Sequence, residues 1–220
     1  MTNPRCPICQ QAGLRPMIEF DDVPVTGILP VSATASVPVR RLAFGYCPHC
    51  AGVTQLPGEM PSLDYAHIDR PTARQLPGYV DAIVERIAAI GRAGGLVVEV
   101  GCNDGDLLGR LRRAGCSALL GIEPSARLAA LAQAGGHAVE TLALNAANAE
   151  AVVRRHGLAD AILCRHTLEH VPDPSGFLKA LRLLLKPGGL LVVEVPSLAP
   201  IIERMHIHEL WDEHVSYFLP

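Results

Sequence analysis

From residue 79 onward, segments with helical and strand-type apolar spacing alternate, and this alternation restricts the chain more than any other feature. Val80, Ile83, Val84 and Ile87 recur at helical spacing, with a stop at Gly91 or Gly94. Leu96 to Val100 is a short, mostly apolar run of the kind buried on both faces of a sheet. A helix is expected from about Asp104 to Ala114, with Gly115 as its stop, and a second strand from Leu119 to Glu123. Ser125 suits the cap of a helix running to Gly135, and Asn145 the cap of one ending at Gly157. Strands are expected at 138–144, 160–165 and 190–195, and a further helix at 174–185. Strands separated by helices of about ten residues imply an α/β fold, a doubly wound parallel sheet with helices on both faces. After Val195, residues 198–210 read as helical and 211–220 as a loop.

The composition supports one full domain and a small module: 220 residues, 49% of them hydrophobic. The net charge of -3 lacks the basic excess of a generic polyanion binder. Neither a signal-peptide pattern nor an apolar run of about 18 residues is present, so no membrane partner and a cytoplasmic location are expected. Seven cysteines, an odd number with no secretory signal, argue against a disulfide scaffold. Cys6-Pro7-Ile8-Cys9 and Cys47-Pro48-His49-Cys50 are instead two C-x2-C pairs. Each fits a tight turn aiming two thiolates at one ion, and together they complete a closed, tetrahedral, structural zinc site. The charges of this segment balance (Arg5, Arg15, Arg40 and Arg41 against Glu19, Asp21, Asp22 and Glu59), so no nucleic-acid partner is expected. The expected division is a zinc-binding β module at 1–60, a connector at 61–76 and an α/β domain at 77–220.

The first strand of that domain runs into Glu99-Val100-Gly101-Cys102-Asn103-Asp104-Gly105-Asp106. Glycines at such a turn let the backbone approach a ligand. The pattern is not that of a dinucleotide turn: Asn103 stands for the second glycine and Asp106 for the third, and Asp104 and Asp106 repel a pyrophosphate. A cationic ligand carrying an adenosine suits the turn better, with Glu123 placed about 20 residues on to hold ribose hydroxyls.

These residues resemble the class I methyltransferases that use S-adenosylmethionine (SAM), as do Asp160 to Pro174 and Leu185 to Leu190. The resemblance implies a Rossmann-like sheet with SAM held by Glu99, Gly101, Asn103, Gly105, Glu123 and His166. A narrower resemblance rests on three motifs together: the paired C-x2-C, E-x-G-x-N-D-G, and E-H-V-S-Y-F at Glu213 to Phe218. It is to zinc-containing sugar methyltransferases, including C-methyltransferases of nucleotide-linked keto-deoxysugars. It implies a nucleotide-sugar-like substrate, His214 as base, Glu213 as its neighbour and His170 as a polar partner. The family's Tyr three residues before that His is Trp211 here, which leaves O-methylation open beside C-methylation; Tyr65 matches a further family Tyr loosely. The family continues further, and its sheet takes two more strands, so this chain is expected to be C-terminally incomplete. The alternatives are a zinc-module rRNA methyltransferase and a SAM- and zinc-binding fragment without turnover.

Overall fold

The computed structural model describes residues 4–25, 38–56 and 78–219. Tyr65 and the expected connector at 61–76 lie outside them. The described residues form two compact units. One takes those of Met1–Asp64, Leu168–Ser175 and Val195–Pro220, the other those of Tyr65–Thr167 and Gly176–Glu194. The expected division was linear along the chain; these units are not, because the first contains the C-terminal segment.

In the first unit, β1 (Arg15–Pro24) pairs antiparallel with β2 (Val39–Tyr46), which pairs antiparallel with β3 (Val53–Gln55). Leu42, Phe44 and Val53 are fully withdrawn from solvent, and Phe20 packs edge-on against Phe44 with centroids 6.4 Å apart.

The second unit opens with α1 (Tyr79–Arg92) and β4 (Val97–Val100), followed by α2 (Asp106–Arg113) and β5 (Leu119–Ile122). Then come α3 (Ala126–Ala134), β6 (Val139–Glu140), α4 (Ala146–His156) and β7 (Ala159–Arg165). The series ends with α5 (Pro174–Leu184) and β8 (Leu185–Glu194). The five strands lie parallel in the order β6-β5-β4-β7-β8, the sheet the alternating pattern implies. Val80, Val84 and Ile87, on the buried stripe of α1, pack with Val97, Leu111, Ala161 and Leu163. Ser125 caps α3 by accepting from the Leu128 amide, and Asn145 caps α4 in a reciprocal box with Asn148.

Two expectations change in this unit. The third strand shrinks to Val139–Glu140, both only half-buried, where burial gives a longer strand little to gain. The fifth strand begins at Leu185 instead of Leu190, because Leu185 already pairs with Ala159 ahead of a register shift.

After β8 the chain rejoins the first unit through α6 (Ala199–Glu203), a 3-10 turn at Ile207–Glu209 and β9 (Ser216–Tyr217). The expected helix at 198–210 is therefore two short pieces, α6 and the 3-10 turn, with Met205 in the left-handed region at φ 54° between them. The expected loop at 211–220 contains β9, which pairs Tyr217 with Val53 and Ser216 with Thr54. The four-stranded order is β1-β2-β3-β9. Tyr217 packs with Phe44, Leu198, Ile201 and Leu210 in that unit's core. Among the described residues no helix is long and apolar enough to cross a membrane.

Candidate functional site

The turn after β4 is built from three left-handed residues in alternation: Gly101 (φ 78°), Asn103 (φ 51°) and Gly105 (φ 83°). Amides of Gly101 and Cys102 donate to the Ile122 carbonyl at 2.8 and 3.2 Å, pinning the turn to β5. A Cβ on Gly101 would meet the Thr167 hydroxyl oxygen at 2.1 Å, so the position admits only glycine. Asn103 is the residue that departs from a glycine pattern. It fits because Asn tolerates this region of φ, and its side-chain oxygen accepts the Asp104 amide at 2.7 Å.

Two carboxylates flank the turn. Glu123 is buried, and its oxygens accept the amides of Asn103 and Ser125, each at 2.9 Å. Burial raises its pKa, while those two amides hold the charged form. Two acceptor sites remain on the anchored carboxylate, as many as a pair of vicinal hydroxyls requires. Glu99 is also buried, and its Oε2 has no hydrogen-bond partner among the described residues. Burial pushes its pKa well above the usual range, against the pull of Arg165. A glycine cradle between one anchored carboxylate and one carboxylate oxygen awaiting a donor fits a cationic, hydroxyl-bearing ligand such as SAM.

His166, expected to bind the cofactor, is left-handed at φ 47°, with Nε2 3.1 Å from Glu194 Oε1. Glu194 also receives Arg165 Nε at 2.5 Å and the Tyr79 hydroxyl at 2.6 Å. Burial raises the Glu194 pKa, but these donors outweigh it and hold the carboxyl low. Sequence reasoning passed over this network. Its signal was a pair of opposite charges ending two apolar strands that lie side by side, Arg165 opposite Glu194.

The four paired cysteines converge, with all four sulfurs within 4.8 Å of one another. Cys6 Sγ lies 3.8 Å from Cys50 Sγ, and Cys9 Sγ 3.6 Å from Cys47 Sγ. The two turns repeat each other. The amide four residues after the first cysteine donates back to its carbonyl: Gln10 to Cys6 at 2.8 Å and Ala51 to Cys47 at 2.9 Å. Gln10 and Ala51 share the left-handed region, at φ 64° and 57°. Burial raises the Cys47 thiol, yet the amides of Cys50 and His49 and the neighbouring thiols outweigh it and bring it down to about 7. Such a set suits a soft ion that takes four thiolates.

A third grouping lies in the same unit. Glu169, His170 and His214 present ligand-type atoms within 4.8 Å of one another. The imidazole rings stand edge to face at 4.8 Å, and Trp211 meets His214 edge-on at 4.8 Å. The structure thus brings together His170 and His214, which the sequence resemblance paired. Glu213 enters differently: its backbone carbonyl accepts from His170 Nδ1 at 2.9 Å, and the carboxylate that converges with both imidazoles is Glu169. In the sequence, Glu169 is marked only by its adjacency to His170.

The segment carrying His214 is latched to β3. Gln55, fully buried, donates from Nε2 to the carbonyls of Asp212 and His214 at 2.9 and 3.0 Å. Thr54 Oγ1 donates to the Val215 carbonyl at 2.8 Å, and the Val215 amide donates to the Glu169 carbonyl at 2.7 Å. The Tyr217 hydroxyl accepts from the Trp211 amide at 3.0 Å.

Residues 72–219 match the family described as "Methyltransferase domain". The chain is 38% identical over 141 residues to the C-methyltransferase NovU of Streptomyces niveus, a match covering 63% of this chain and 32% of that one. It is 35% identical over 127 residues to the ubiquinone biosynthesis O-methyltransferase of Psychrobacter cryohalolentis, covering 56% and 49%. A crystal structure of a SAM-dependent methyltransferase from Anabaena variabilis shares its fold at TM-score 0.50 and 16% identity, covering 60% of this chain and 56% of that one. The chain thus spans about a third to a half of the length of these curated relatives.

Proposed function

The chain belongs to the methyltransferase-domain family, and from that premise we propose that it carries a methyl group from SAM to a small-molecule acceptor, a nucleotide-linked sugar, with His214 as base. The observation that carries the cofactor half is the turn Glu99–Asp106 beside Glu123: a glycine position closed to any side chain, flanked by two buried carboxylates. Glu123 would accept the ribose hydroxyls while its amide contacts hold it in place. Glu99 would face the cation, and Asp104 and Asp106 disfavour a phosphate there. SAM supplies an electrophilic methyl and a neutral thioether leaving group, so the protein has to orient the acceptor and remove its proton.

The acceptor half rests on His214 and its neighbours. A histidine titrates near neutrality and needs little tuning to take a proton. His170 is oriented by its bond to the Glu213 carbonyl, which leaves its Nε2 for a polar acceptor group. Glu169 would stabilise the imidazolium formed on His214. The relatives include both a C- and an O-methyltransferase. The E-H-V-S-Y-F motif favours C-methylation, and Trp211 in place of a tyrosine makes O-methylation the second reading. The four cysteines would hold one zinc, whose role in a closed thiolate shell is structural.

The test is calorimetric titration of the purified chain with S-adenosylhomocysteine, paired with a methyl-transfer assay on nucleotide keto-sugars. Glu123→Ala removes charge-assisted hydrogen bonds worth roughly 1.5–3 kcal/mol each, so affinity should fall roughly tenfold or more. His214→Ala should keep cofactor affinity and lose roughly 10²–10⁴ in transfer rate. Binding of NAD in place of the homocysteine compound, or normal turnover by His214→Ala, would overturn the respective half.

A further inference from the structure

We propose that Glu169, His170 and His214 form a second metal site, which takes a divalent first-row transition ion and, when filled, withholds His214 from proton transfer. The ligand atoms already lie within 4.8 Å of one another without an ion. Metal–nitrogen bonds of about 2.0–2.1 Å set neighbouring ligand atoms about 3 Å apart, a closure that modest side-chain rotations supply.

Three further features favour a metal. The carboxylate is buried, with Glu169 2% exposed, and it converges with two imidazoles, a nitrogen and oxygen donor set of the kind a divalent transition ion takes. His170 donates Nδ1–H to a backbone carbonyl, which leaves Nε2 as the acceptor atom. Metal-binding histidines are ordinarily held in this way, and the outer bond fixes both tautomer and ring orientation. Finally, His170 is only partly buried, so the trio is not sealed from an incoming ion.

Two imidazoles and one carboxylate select zinc, cobalt, nickel or iron(II) over calcium or magnesium, and they leave coordination positions open. The inhibitory consequence rests on the proposed role of His214: a lone pair bound to metal cannot take a proton. The site itself does not rest on that role, and its detection needs no activity.

The experiment starts from protein holding one zinc in its four cysteines and titrates Zn²⁺ by calorimetry and Co²⁺ by absorption. A second equivalent should bind, with the weak visible bands of a nitrogen and oxygen shell and none of the thiolate charge-transfer bands. Glu169→Gln, which keeps the shape, and His170→Ala should each weaken that equivalent at least about tenfold, while the cysteine-held zinc and the circular dichroism stay unchanged. Zn²⁺ in excess should slow methyl transfer by the wild-type chain, and a mild chelator should restore it. A single equivalent in the wild type, or a second one that persists in both variants, would overturn the site. A second equivalent that binds and leaves transfer unaffected would uphold the site and overturn the base assignment.

Discussion

Glu99 pays for its place in the sheet. Its side chain is buried at the end of β4, burial drives its pKa upward, and Asp106, Asp104 and Glu123 push in the same direction while Arg165 opposes them. A carboxylate whose folded pKa lies above its unfolded value destabilises the fold when charged, and that penalty is lifted as pH falls through the folded pKa. Glu140 and Asp160 have the opposite sign. Hydrogen bonds from Arg155 hold Glu140 low, and Lys186 does the same for Asp160, so the stability they contribute is lost on acidification. Glu99→Gln should therefore raise the melting temperature at neutral pH and weaken SAM binding, and the gain should shrink at lower pH. A scan of melting temperature against pH for both forms checks this. An unchanged cofactor affinity would remove Glu99 from the cofactor site. The motif marked Glu99 as a candidate, but its burial and its orphaned oxygen follow from the packing of β4 between β5 and β7.

At the scale of elements, β3 matters beyond its three residues. Thr54 and Gln55 are wholly buried polar residues in a strand that pairs on one edge with β2 and on the other with β9. Their side chains donate to the carbonyls of Asp212, His214 and Val215 in the irregular segment 212–215, beside the Gln55 amide on Val215 and Arg40 on Asp212. Gln55→Leu should take the side-chain donor from the buried His214 carbonyl, at a cost of roughly 1–3 kcal/mol, while the Asp212 carbonyl keeps its bond from Arg40. Amide exchange at 211–217 should quicken and methyl transfer should fall, with affinity for S-adenosylhomocysteine unaltered. If exchange in that segment is unaltered, the latch is not holding it. Nothing in the sequence flagged Gln55, since a glutamine in a short β segment most often faces water.

For the whole molecule, the two C-x2-C turns and the His214 segment belong to one unit although 164 positions separate Cys50 from His214. Stripping the zinc proposed for the four cysteines with a strong chelator should free the cysteine turns and, through β3 and β9, raise exchange at 211–217, while strands β4, β5 and β7 keep their protection. Hydrogen exchange with and without zinc reads this directly. Chelation that leaves 211–217 protected would separate the cysteine turns from the His214 segment. What the linear chain determined by itself is local in origin: the helix stripe of Val80, Val84 and Ile87, the caps Ser125 and Asn145, the buried runs that become a parallel sheet, and the paired cysteine turns. Each depends on neighbours within a few residues, so periodicity and spacing carry it. Only the tertiary structure decided that Ser216–Tyr217 would pair with Val53–Thr54, that Glu169 would bring its carboxylate to the two imidazoles, and that Arg165 and Glu194 would meet. Those are contacts between distant segments, set by strand order and by which buried polar group finds a partner, and no periodicity along the chain records them.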